Sequence, residues 1–119
     1  MARILVVDDT AFMRLRLNNL LTEAGHEVLE AENGQQAVER YAEAKPDLVL
    51  MDITMPVMDG LTALEQIRSQ YPEARVIMCT AMGQQALVLR ALKAGAKDFI
   101  VKPFEPQRVL TAVQRVLGG

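Results

Sequence analysis

Four short apolar runs in this chain each lead straight into groups able to do chemistry. "ILVV" (4–7) leads into Asp8 and Asp9, "DLVLM" (47–51) into Asp52, "RVIMC" (75–79) into Thr80, and "DFIV" (98–101) into Lys102. If these runs are strands of one parallel sheet, three carboxylates, a hydroxyl and an ammonium collect at one rim. Two carboxylates ~4 Å apart repel by roughly 4 kcal/mol at an effective dielectric near 20. Lys102 can neutralise one acid but not all three. A hard, oxygen-seeking divalent cation is the natural complement, and Mg²⁺ suits a partly hydrated site with few protein carboxylates. A metal flanked by a spare carboxylate, a hydroxyl and a lysine suits a phosphoryl group, with a carboxylate as nucleophile.

Taken singly, each residue has an ordinary explanation. An Asp after a strand commonly caps a helix or opens a turn. Thr favours strands anyway, and a lysine there is usually solvated. Their joint placement at the ends of all four runs carries the inference. No P-loop or dinucleotide-type glycine pattern occurs, so nucleotide binding finds no support. No reactive Ser or Cys comes with a partner base. His26, the only histidine, follows Gly25 at the far end of the first helix. Cys79 sits inside an apolar run and reads as inert core.

The elements that must position these groups alternate from end to end. With "EVLEA" (27–31) there are five strand candidates. A first helix puts Met13, Leu17, Leu20, Leu21 and Ala24 on one face and stops at Gly25. A second spans roughly 34–44, with Ala37, Val38 and Tyr41 inward. A third carries Leu61, Leu64 and Ile67 and stops before Pro72, and Gly95 closes a fourth. Pro106 opens a fifth, with Val109, Leu110, Val113, Val116 and Leu117 on its face. In the fourth, Arg90 and Lys93 mark the wet side, so Val88, Leu92 and Gly95 point inward. Leu87 and Leu89 then lie about 200° apart at ~100° per residue. At least one is therefore exposed, as a docking point for a partner. Five β/α units predict an α/β, flavodoxin-like doubly wound sheet in the order 2-1-3-4-5, with ligands at the carboxyl ends of the strands.

The totals fit one soluble domain. The chain has 119 residues, half of them hydrophobic, and a formal net charge of −2, which argues against a nucleic-acid footprint. No apolar run approaches the ~20 residues of a membrane span, and no signal-peptide core is present. A single cysteine makes no internal disulfide and points to a reducing cytoplasm.

The segments "LVVDDTAFMR", "VLMDITMPVMDG", "VIMCTAMG" and "AGAKDFIVKPF" resemble, in order and over the whole chain, the receiver domain of bacterial two-component response regulators. The wording around "FMR" and "CTAMGQQA" is most similar to single-domain chemotaxis regulators outside the enteric bacteria. The resemblance implies one receiver domain over 1–119 and no output domain. It makes Asp52 the phosphoacceptor, taking a phosphoryl group from the phosphohistidine of a sensor histidine kinase. It implies Mg²⁺ bound by Asp9, Asp52 and the backbone carbonyl of Thr54, with Asp8 acting through water. Lys102 and Thr80 would hold phosphoryl oxygens, assisted by the Ala81 N–H. The Lys102–Pro103 bond resembles the family's cis peptide, which would aim Lys102 inward, and Gly60 fits a turn folding the loop back.

The same resemblance implies a switch through Thr80 and Phe99. Phosphorylation adds negative charge and acceptor oxygens; Thr80 moves toward them, Phe99 turns inward, and the face of helix 4, strand 5 and helix 5 changes shape. The implied partners are the kinase, the flagellar motor switch protein and a phosphatase of the acyl phosphate, with no nucleic acid or membrane. The implied protein is monomeric, and not an enzyme beyond its own phosphorylation and dephosphorylation. Thr54 and Met82 flank the site at positions that vary in the family; apolar Met82 predicts slow self-dephosphorylation. Phe99 lacks the hydroxyl of the commoner Tyr and offers a partner no hydrogen bond. Two other readings are a phosphorelay intermediate or isolated input domain of a transcription regulator, and an Asp-nucleophile phosphatase. The latter expects a D-x-D pair after its first strand, which neither "DDTAF" nor "DITMP" supplies.

Overall fold

The apolar runs are long enough for strands and too short for helices that bury an all-round apolar surface. In the computed structural model, which describes every residue except Met82, Gly83, Gln85 and Gly119, they form β1 (Arg3–Val7), β2 (Glu27–Ala31), β3 (Leu48–Asp52), β4 (Val76–Ala81) and β5 (Asp98–Lys102). All neighbours pair in parallel, in the order β2-β1-β3-β4-β5. Every residue of β3 is buried, whereas the edge strands β2 and β5 are only partly so. A parallel sheet must be covered on both faces, and the five helices do this. The α2 (Gly34–Ala44), α3 (Gly60–Gln70) and α4 (Ala86–Lys93) helices pack over Leu5, Val49, Met51 and Met78. The α1 (Ala11–Glu23) and α5 (Pro106–Gly118) helices pack over Ile4, Leu50, Ile77 and Ile100.

Helix ends follow from local chemistry. Thr10, Asn33 and Asp59 are extended N-caps whose side chains accept the amides of Met13, Gln36 and Thr62. Past α1 and α4 the chain turns at Gly25 and Gly95 with φ of +94° and +104°, which favours glycine.

The strands extend beyond the apolar runs and take functional groups into the ladder. Asp52 pairs in register with Cys79, Thr80 with Val101, and Ala81 with Lys102. The backbones beneath these side chains are therefore fixed by sheet hydrogen bonds.

Two expected core positions are corrected. Ala24 is exposed, because it is the C-cap of α1 and its amide is spent on the carbonyls of the last turn. Leu92 is 42% exposed and Ala91 is buried in its place. Alanine lets α4 approach the sheet closely, which rotates the helix toward the Val88–Ala91 edge. The exposure expected of Leu87 or Leu89 is found: Leu87 is half-buried and Leu89 is 60% exposed.

Candidate functional site

Alternation along a strand decides which groups meet. Ile4 and Val6 face α1 and α5, and the same parity continues to Asp8. Leu48 and Leu50 lead likewise to Asp52, and Ile100 to Lys102. The carboxyl ends of three strands thus send two acids and a lysine into one space. Asp9, one residue on, bends over the rim and is exposed.

Carboxylate oxygens of Asp8, Asp9 and Asp52 all lie within 4.8 Å of one another. The Lys102 ammonium donates to Asp8 Oδ2 at 2.8 Å and lies 3.3 Å from Asp52 Oδ2. Thr10 donates to Asp8 Oδ1 twice, from its amide and its hydroxyl, both at 2.9 Å. The Arg14 guanidinium donates to the Asp8 backbone carbonyl at 2.7 Å. Asp8 is therefore held from every side, whereas Asp52 keeps one ion pair and faces the rim. Thr80 is fully buried, its hydroxyl 3.3 Å from the Ala81 carbonyl. Phe99 pairs in register with Met78 and packs, half-buried, against the core under α3 and α4. The Lys102–Pro103 bond is cis.

Electrostatics follows the crowding. Burial raises the Asp52 carboxyl above its ordinary range; Lys102 opposes the shift and Asp8 adds to it. Burial alone would lower Lys102, but its hydrogen bond to Asp8 and the charges of Asp52 and Asp8 leave it raised. Burial pushes the Cys79 thiol up to about 12, so it stays protonated beneath the site. The donor set is hard and all-oxygen, which fits a divalent cation of the Mg²⁺ or Ca²⁺ kind and not a soft metal.

The loop after Asp52 returns under close constraint. The Gly60 amide donates to the Ile53 carbonyl at 2.7 Å, and a Cβ at Gly60 would stand 2.0 Å from the Asp52 carbonyl oxygen. The expected turn role of Gly60 is thus one of close approach to the backbone that carries Asp52. Gly34 braces the other side, its amide donating to the Met58 carbonyl at 2.9 Å.

Sequence reasoning missed Thr10 and Arg14 as supports of Asp8, and Gln84, which reaches Thr54. Thr10 was findable as a helix cap; contacts of Arg14 and Gln84 leave no local pattern. Met82 lies outside the described residues. His26 stays away from the rim and accepts from the Ala2 amide at 3.2 Å. A cleft of about 410 Å³ at the opposite pole is lined by Arg68, Arg75, Lys97 and Arg115 among others. Its arginines are engaged: Arg68 by the Pro72 and Ala74 carbonyls, Arg75 by that of Leu117, and Arg115 by Asp98. They tie the loop after α3, the end of α5 and the start of β5 in place.

This fold and rim define a phosphoryl-accepting signalling module, and comparison agrees. The response regulator receiver domain model matches residues 4–114, and the chain belongs to that family. It is 60% identical over 117 residues to chemotaxis protein CheY of Bacillus subtilis, covering 98% of each chain. It is 58% identical over 115 residues to CheY of Thermotoga maritima, covering 96% of each. Among solved structures, a CheX–CheY–BeF₃–Mg²⁺ complex from Borrelia burgdorferi superposes with a TM-score of 0.91 at 41% identity, over 96% of this chain and 87% of that one. Among the described residues no helix is long and apolar enough to cross a membrane.

Proposed function

We propose that the chain is a phosphorylation-activated chemotaxis response regulator of one receiver domain, in which Asp52 accepts the phosphoryl group. The observation that carries this is the gathering of Asp8, Asp9 and Asp52 within 4.8 Å around the Lys102 ammonium. Asp9 and Asp52, with the Thr54 carbonyl, would hold Mg²⁺ directly and Asp8 would act through water; the ion would supply the positive charge that a phosphoryl group needs beside three acids.

Asp52 is the acid free to react, because Asp8 is already engaged by Lys102 and Thr10. An oxygen of the Asp52 carboxylate forms the new O–P bond as the P–N bond to a kinase phosphohistidine breaks. The electron pair leaves with the imidazole nitrogen. Lys102 follows the new negative charge, and the Thr80 hydroxyl turns from the Ala81 carbonyl to a phosphoryl oxygen. The Ala81 N–H donates to another. Thr80 and Phe99 lie on the same face of adjacent strands, so a shift of Thr80 opens space for the ring. The partners are a sensor histidine kinase, a flagellar motor switch protein and a phosphatase of the acyl phosphate, and this protein works in the cytoplasm. The exposed Leu89 and Leu92 of α4 offer the apolar contact on the output face.

Intact-mass measurement after incubation with acetyl phosphate tests the reading. Wild type gains one phosphoryl group only with Mg²⁺ present, and Asp52→Asn gains none. A metal-independent adduct, or one that persists in Asp52→Asn, overturns the assignment.

A further inference from the structure

We propose that the Gln84 carboxamide is a latch across the phosphoryl site: it occupies the Ala81 N–H in the resting protein and must let go when an anion arrives. The inference rests on the reading of Asp52 above. The Ala81 amide donates to Gln84 Oε1 at 3.1 Å, and Gln84 Nε2 donates to the Thr54 hydroxyl at 2.7 Å. One side chain therefore ties the loop after β3 to the loop after β4, the two that flank Asp52. The assignment of oxygen and nitrogen is fixed by chemistry, because only the oxygen can accept the Ala81 N–H.

The Ala81 amide follows Thr80 at the end of β4, where it is the donor proposed for a phosphoryl oxygen. One N–H cannot serve two acceptors at full strength. An anionic oxygen is the stronger acceptor by roughly twofold in energy, so it displaces the carboxamide. Release of Oε1 also loosens the hold of Nε2 on Thr54. The backbone carbonyl of Gln84 accepts the Leu87 amide at 2.9 Å, at the entry to α4. Occupancy of the site thus reaches the helix that carries Leu89. Gln84 is a positioning residue in this scheme and touches no reacting atom.

Gln84→Met keeps length and removes both hydrogen bonds; Gln84→Glu keeps an acceptor but adds a negative charge facing the anion. The first measurement is amide hydrogen exchange at Ala81 in the metal-free proteins, which needs no phosphoryl chemistry. Exchange speeds up in Gln84→Met; an unchanged rate overturns the latch and leaves the Asp52 assignment standing. The second is titration with beryllium fluoride in excess Mg²⁺, followed by NMR. Removing one competing hydrogen bond tightens binding roughly 2- to 10-fold in Gln84→Met, and Gln84→Glu binds more weakly than wild type. Equal affinities in all three proteins overturn the latch. If none takes the anion, the reading of the Asp52 site falls, and the latch falls with it.

Discussion

Lys102 is held most closely by Asp8, at 2.8 Å, and stands 3.3 Å from Asp52. On the proposed assignment of Asp52, the neighbouring carboxylate therefore anchors the cation that the reacting one needs. In Lys102→Met the two buried acids lose their shared counterion, and the metal-free protein loses about 2 kcal/mol of stability, less than the roughly 3–5 kcal/mol for breaking a fully buried pair because the lysine is part-exposed. Mg²⁺ then meets no competing cation and stabilises the variant more than wild type. Urea unfolding with EDTA and with Mg²⁺ checks both signs. Equal Mg²⁺ increments in the two proteins would contradict the shared-counterion account.

The raised pKa of Asp52 makes a pH prediction for the metal-free protein. The native state holds this proton more tightly than the unfolded chain does, so between the ordinary Asp value and the folded one the native state binds more protons. Stability attributable to Asp52 is then complete below the ordinary value and falls as pH rises through the raised one. Asp98 behaves oppositely. Its burial is outweighed by hydrogen bonds from the Phe99 amide, Arg115 and Arg108, which lower its pKa. Its contribution is present above the ordinary value and lost as pH falls through the folded one. In EDTA, Asp52→Asn removes the decline with rising pH, and Asp98→Asn flattens the acid limb. Unfolding midpoints across the acid range measure each slope separately.

Gly60→Ala is expected to damage the site more than any other change to alanine among the described glycines. Its Cβ would lie 2.0 Å from the carbonyl oxygen of Asp52, a backbone atom fixed in β3. Overpacking of this kind costs about 1–3 kcal/mol, and relief requires moving Asp52, the proposed phosphoacceptor. Gly25→Ala supplies the contrast, because nothing lies within 4 Å of its Cβ and only its φ of +94° is strained. Both variants unfold earlier, but only Gly60→Ala slows phosphorylation by acetyl phosphate. Normal phosphorylation in folded Gly60→Ala would refute the close-approach argument.

Most of the site was legible because its groups sit where buried strands end. Asp8, Asp52, Thr80 and Lys102 follow apolar runs, and a parallel sheet brings the ends of such runs together whatever the helices do. Contacts that support them were not legible. Arg14 reaches the Asp8 carbonyl from the next turn of α1, and Gln84 reaches Thr54 across 30 residues. Neither depends on a periodic pattern. Leu92 failed for a related reason: the phase of an eight-residue helix is set by which small residue lets it approach the sheet, and Ala91 took that place.

Val57 carries strain that the sequence conceals. Its φ is +69°, and the Met58 amide closes a γ-turn onto the Pro56 carbonyl at 2.8 Å. Turns of this hand are rare, and a β-branched residue is ill-suited to them. The side chain is 82% exposed, so burial returns little of the cost. Asparagine tolerates positive φ and adds no glycine-like freedom to the unfolded chain. Val57→Asn should therefore stabilise the protein by about 0.5–1 kcal/mol, taken as a fraction of the roughly 1–2 kcal/mol left-handed penalty. Lys45, also at positive φ (+43°), is unbranched and ends α2, so Lys45→Asn gains less. Chemical unfolding of the two variants beside wild type ranks them, and a Val57→Asn midpoint at or below wild type would mean that the turn is unstrained.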